Sequence, residues 1–178
     1  SKNRSFIICL ALSSSSFNAC IEDLQRGIVR CVGNAADRYQ EDGLRIMRAV
    51  RFACVLNFQF ETETERAIKE YSYLLKSIAR ERIQVELNKI LNSSWAGYGL
   101  NCFPYFMPEF CHTWHFAQEG SRHQFDIFTH TLKAVDLAPP ILHLRLTMLL
   151  HDIGKPFVWK SCDTPLNLAL INDFIFRF

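Results

Sequence analysis

The chain has 178 residues, 49% of them hydrophobic, and a formal net charge of +2. That length holds one ordinary domain or two small ones, and fifteen phenylalanines argue against a disordered tail. No apolar stretch is long enough to cross a bilayer, and the seven scattered cysteines contain no C-x-x-C pair, which points to reduced thiols in the cytoplasm rather than an exported disulfide scaffold.

In chain order, the sequence starts at Ser1 rather than Met, which suggests a fragment or a processed chain. The apolar run Phe6–Leu12 is at the short limit for a secretory signal. Residues 1–20 read as a lead-in, with Ser13–Ser16 as punctuation. After a turn at Gly33-Asn34, one helix is expected from Asp37 to about Leu56. Ile46, Met47, Val50, Ala53 and Cys54 fall on one arc at 100° per residue, with Glu41, Arg45 and Arg48 opposite. Gly43 inside that helix should cost about 1 kcal/mol relative to Ala. Asn57 suits a left-handed helix end, and Phe58 and Phe60 an extended piece.

Thr62 with Glu65 fits a capping box opening a second helix, and a third spans about Arg80–Leu91 with Ile83, Leu87, Ile90 and Leu91 buried. Gly97, Gly99, Pro104 and Pro108 break the pattern that follows. Helices are expected again over about Gln124–Leu137 and Ile141–Asp152, separated by Pro139-Pro140 and ended by Gly154-Lys155-Pro156. The fold class is all-α, a helical array without repeats. Its expected segments are 1–20 (lead-in), 21–60, 61–120 and 121–178 (an incomplete terminal helical domain).

Arginines crowd the stretch from Arg26 to Arg82. A basic stripe on a near-neutral chain suits a polyanion held on one face, although charge runs are commonly solvated helix surface.

The most specific stretch is Asp23-Leu24-Gln25-Arg26-Gly27-Ile28-Val29-Arg30-Cys31-Val32-Gly33-Asn34, followed by Glu41-Asp42-Gly43-Leu44-Arg45-Ile46-Met47-Arg48-Ala49-Val50-Arg51-Phe52. It resembles the neck of class II tRNA nucleotidyltransferases and bacterial poly(A) polymerases, whose pattern there is D-L-x(4)-I-R-x-V-G, then E-D-x-L-R-x-x-R-A-x-R-F. Arg82-Ile83, Glu86-Leu87 and Lys89-Ile90-Leu91 match that family's next motif, R-I-x-x-E-L-x-K-I-L. The resemblance implies tRNA, CTP and ATP as partners, with no membrane. It implies nucleotide contacts at Glu41, Asp42, Arg45, Arg48 and Arg51, and RNA contacts at Arg30, Arg80, Arg82 and Lys89.

The chemistry fits. A carboxylate only accepts hydrogen bonds and a guanidinium only donates them. Cytosine and adenine both offer an exocyclic amino donor beside a ring-nitrogen acceptor; uracil and guanine reverse that polarity. Asp42 and Arg45, three apart on a helix, would leave one surface together and read that edge, with Glu41 orienting the arginine. The alternative is an ion pair that only staples a surface helix.

In the family, carboxylates of an N-terminal head domain hold catalytic Mg2+ ions. Its Gly-Ser-type loop and D-x-D do not occur in these residues, and its D-P-F-x-G element is degraded to Ser15-Ser16-Phe17-Asn18-Ala19. The expectation is a chain that binds rather than catalyses by itself. CCA, A-only and CC-only addition are not distinguished, and neither is the oligomeric state.

His123, Asp126, His130 and His151-Asp152-Ile153-Gly154-Lys155-Pro156 resemble an HD domain. The resemblance implies a divalent metal at His130, His151 and Asp152, which would need a later carboxylate such as Asp163 or Asp173. A helix junction held by His–Asp hydrogen bonds is the other reading. His112, His115 and His143 have no partner motif. Two further functions stay open on this basis, a metal-dependent HD phosphohydrolase and a stand-alone RNA-binding helical module.

Overall fold

The computed structural model describes residues 14–102, 105, 108–116 and 125–156. Helix α1 spans Ser14–Arg26. Gly27, at φ +69°, turns the chain into strand β1 (Ile28–Val29). β1 pairs in parallel with β2 (Gln59–Phe60), Ile28 opposite Gln59 and Val29 opposite Phe60. This two-residue ladder is the one sheet among the described residues, so the all-α assignment stands.

The expected single helix from Asp37 to Leu56 is two helices. α2 (Ala35–Glu41) is capped by Asn34, whose Oδ1 accepts from the Ala36 and Asp37 N–H groups. α3 (Leu44–Leu56) follows a break at Asp42, which is extended at φ −152°, ψ 104°. The break is local chemistry: Asp42 Oδ1 accepts from the Leu44 N–H at 3.0 Å, an alternative to the helical path. Gly43 therefore carries no mid-helix penalty. A Cβ there would stand 3.0 Å from Leu74 Cβ and 3.3 Å from its carbonyl, so glycine admits the 3₁₀ segment Ser72–Ser77.

Ile46, Met47, Val50, Ala53 and Cys54 form the buried arc of α3, all without solvent exposure. They face α5 (Arg80–Leu91), whose Leu87, Ile90 and Leu91 are equally buried. Each of the larger side chains among them contributes about 1.5–3 kcal/mol. Asn57 ends α3 in the left-handed region, as its residue type suggests. α4 (Thr62–Glu70) is capped one residue earlier than expected: Glu61 Oε2 accepts from the Thr64 N–H and hydroxyl, replacing the Thr62–Glu65 box.

α6 (Ala96–Leu100) contains the glycines expected to break structure. They serve close approach. A Cβ on Gly99 would lie 2.2 Å from Cys54 Sγ, and one on Gly97 would lie 2.3 Å from Asp136 Oδ2. After the short α7 (Pro108–Cys111), α8 (Ile127–Leu137) and α9 (Leu142–Leu150) pack on each other and on α6 and α5. α9 stops before Gly154, and residues 151–154 form turns. Arg145 is only 3% exposed, and its guanidinium donates to the carbonyls of Leu91, Ser93 and Ala138. It ties α9 to the C-terminal end of α5. Residues 157–178, with Asp163 and Asp173, lie outside the described residues, as does His123.

Candidate nucleotide and RNA site

The break between α2 and α3 presents Glu41, Asp42 and Arg45 together, but not as neighbours on one helix. Asp42 and Arg45 are braced by different partners. Asp42 Oδ1 is held by the Leu44 N–H, and its Oδ2 lies 3.4 Å from Arg82 Nη2 at the start of α5. Arg45 Nη1 donates to Glu41 Oε2 at 2.5 Å and to the Arg38 carbonyl at 3.2 Å. Three-residue spacing on one helix therefore does not align Asp42 with Arg45, contrary to the expectation from sequence. The link between them is a backbone bond, Arg45 N–H to the Asp42 carbonyl at 3.0 Å. The Glu41 carboxylate sits below its usual range, held there by Arg45 and then by Arg38.

Arg48 is exposed one turn beyond Arg45. Arg51 is not comparable: its Nε lies 2.5 Å from Glu86 Oε2, with side chains 18% and 7% exposed, and its guanidinium stacks on Phe52. The angle at this contact is poor for a hydrogen bond, so the pair is mainly electrostatic. Lys89 joins it at 3.1 Å from Glu86 Oε1. The R-I-x-x-E-L-x-K motif therefore supplies one partner for Asp42 and the ionic centre of the α3–α5 contact.

Arg30, Arg82 and Lys89, all expected to meet RNA, are paired with carboxylates. Arg30 forks onto Asp23 at 2.8 and 3.2 Å and lies 3.6 Å from Glu61, which raises its affinity for its proton and ties α1 and β1 to the start of α4. Arg82 and Lys89 pair as described, and Arg80 is exposed at the first position of α5. Each of Arg30, Arg82 and Lys89 keeps about half of its side chain in solvent. Arg38 is a member of the site that sequence reasoning did not single out. Its only sequence signal is the three-residue spacing to Glu41, which suits an ion pair on one helix face.

At the other end of the chain, His130 Nε2, His151 Nε2 and Asp152 Oδ2 converge. The two nitrogens are 3.3 Å apart, and Asp152 Oδ2 lies 3.2 Å from His151 and 3.9 Å from His130. His151 Nδ1 faces the Met148 carbonyl at 2.7 Å, which assigns that nitrogen as donor and leaves Nε2 a lone pair. Ligands about 2.1 Å from a shared ion have separations of this size, and two imidazoles with a carboxylate suit a divalent transition metal. Lys155 Nζ, 2.7 Å from Asp152 Oδ2, competes for the same carboxylate. Asp126 is occupied elsewhere, capping α8 through the Thr129 N–H and holding the His115 N–H at 3.0 Å. His112, His115 and His143 are exposed.

Residues 57–102 match the sequence family described as "Probable RNA and SrmB-binding site of polymerase A". A CCA-adding enzyme of Bacillus cereus is 49% identical over 79 residues, 44% of this chain and 20% of that protein. One of Streptococcus mutans is 46% identical over 86 residues, 48% of this chain and 21% of that protein. The chain spans about a fifth of the length of these curated relatives. The crystal structure of the Bacillus stearothermophilus CCA-adding enzyme in complex with CTP aligns with a TM-score of 0.55 at 27% identity, covering 88% of this chain and 38% of that one. Motifs, helical fold and relatives agree in what this chain is similar to, the CCA-adding enzyme and poly(A) polymerase family.

Proposed function

We propose that this chain supplies the nucleotide-selecting and tRNA-binding part of a tRNA nucleotidyltransferase that extends tRNA 3′ ends with CCA, or with A, from CTP and ATP. The observation that carries the reading is the α2–α3 break, where a braced acceptor, Asp42, and a braced donor, Arg45, are joined by the backbone bond from Arg45 N–H to the Asp42 carbonyl. Asp42 accepts from the exocyclic amino group of cytosine or adenine, and Arg45 donates to the adjacent ring nitrogen. Uracil or guanine would bring donor to donor and acceptor to acceptor, leaving desolvated groups unpaired. Arg48, exposed on the same helix, reaches toward the triphosphate, while Arg80, Arg82, Lys89 and Arg30 meet tRNA phosphates with the solvent-facing parts of their side chains. Mg2+ bound elsewhere in such an enzyme would supply activation of the 3′-hydroxyl and charge neutralisation at the pyrophosphate. The residues named here select and hold. Equilibrium binding of the four nucleotides tests the reading: CTP and ATP should bind more tightly than UTP and GTP, and equal affinities would refute it.

A second reading rests on the convergence of His130, His151 and Asp152. These three would hold a divalent cation that supplies an activated water for phosphohydrolysis. Calorimetric titration with Mn2+ or Zn2+ should give one site that His151→Ala weakens at least about tenfold. Identical binding by the variant would dismiss this cluster as a metal site.

A further inference from the structure

Two guanidinium groups share one carboxylate at the α2–α3 break. Arg38 Nη1 donates to both Glu41 oxygens at 3.2 Å, while Arg45 Nη1 donates to Oε2. Arg38 also has its Nε 3.4 Å from the Val32 carbonyl, and its own carbonyl accepts from Arg45 Nη1 and from the Asp42 N–H. One residue thus touches the side chain of Glu41, the side chain of Arg45 and the backbone of Asp42. All three side chains in the shared pairing are 39–49% exposed.

The charge balance has a consequence. One carboxylate cannot neutralise two cations, so Arg45 has only part of the charge of Glu41. An ion pair this open to water is weak and screened by salt, so Arg45 can exchange it for a ligand at small cost. After that exchange Glu41 is not stranded, because Arg38 still contacts both of its oxygens. Without Arg38 the carboxylate would belong to Arg45 alone. Arg45 would then be held back from a ligand, and Glu41 would lose its second anchor.

Resting on the reading of Arg45 as a base-reading group, we propose that Arg38 is a positioning residue that sets nucleotide selectivity through Glu41 without touching the base. The cluster's carboxylate stays ionised through neutral pH, since both arginines depress its protonation, so the sharing persists under ordinary conditions. The other role open to Arg38 is purely structural, a staple from α2 to the Val32 carbonyl.

The test is equilibrium binding of CTP and UTP to the full 178-residue chain, with melting temperatures measured alongside. Arg38→Met should lower the CTP-to-UTP affinity ratio about three- to tenfold, and Arg38→Lys should restore most of it. Adding Arg38→Met to Arg45→Ala should change the ratio no further, because its effect runs through Arg45. A lower melting temperature with an unchanged ratio would make Arg38 a staple and overturn the proposal. Additive losses in the double variant would overturn it as well. Glu41→Gln keeps the test sharp should Arg38→Met fail to fold: it must lower the ratio too, and an unchanged ratio refutes the link. If the unsubstituted chain binds neither nucleotide, the base-reading role itself falls, and this inference with it.

Discussion

Arg45 and Arg51 lie six positions apart on one helix, and their surroundings divide their work. Arg45 is 39% exposed and held by an exposed carboxylate, whereas Arg51 is 18% exposed against Glu86 at 7%. A charge buried in a pair is not available to a ligand, because withdrawing it would strand its partner in a poorly solvated place. Arg51→Met should therefore lower stability by about 1–3 kcal/mol, since Glu86 keeps Lys89 as its remaining partner. It should leave the CTP-to-UTP ratio unchanged. Thermal melting and nucleotide binding on the same sample separate the two effects, and a selectivity change at full stability would return Arg51 to the ligand-binding group. The residue types of Glu41, Asp42 and Arg45 were legible in the sequence because acceptor-only and donor-only chemistry needs no coordinates. Their bracing was not, because Arg82 reaches Asp42 from forty positions away.

Glycines show how elements meet where the sequence alone suggests that they end. Gly99 lies in α6, and a Cβ there would fall 2.2 Å from Cys54 Sγ and 2.8 Å from Val50 Cγ1 of α3. Gly99→Ala should destabilise by about 1–3 kcal/mol through overpacking, and so lower Tm by roughly 3–10 °C. An unchanged Tm would mean that α3 and α6 can separate at no cost. The α3 arc and the α5 stripe were legible because a 3.6-residue period maps apolar positions to one face without knowledge of the partner. The break at Asp42-Gly43 was hidden because the apolar pattern continues across it, and only the Asp42 side chain's bond to Leu44 N–H marks it. A two-residue strand leaves no periodic trace, so β1 and its pairing with β2 had no signal of their own. Glu61 caps α4 with a longer side chain than the usual capping residues, which is why Thr62 looked the better start.

Over the whole molecule, charge is arranged more sparingly than the arginine count suggests. Arg30 and Arg82 of the basic stripe are each paired with a carboxylate, which reduces the charge they offer a polyanion. Binding of tRNA should accordingly be weak and should fall about tenfold or more between roughly 50 and 200 mM salt, as displaced counterions demand. Affinity indifferent to salt would exclude contact through phosphates. The α8–α9 pair is fixed to the rest by the Arg145 carbonyl bonds and by Asp136 against Gly97, so the His–Asp cluster and the α2–α3 break share one packed helical array. The central proposed role is base reading by Asp42 and Arg45. Equilibrium binding of CTP, ATP, UTP and GTP to the unsubstituted chain and to Arg45→Ala, whose side chain takes little core packing with it, decides whether they do. A preference for CTP and ATP of roughly ten- to a hundredfold should collapse in Arg45→Ala with an unchanged melting temperature. Equal affinities in the unsubstituted chain, or a preference that survives the substitution, would rule base reading by this pair out.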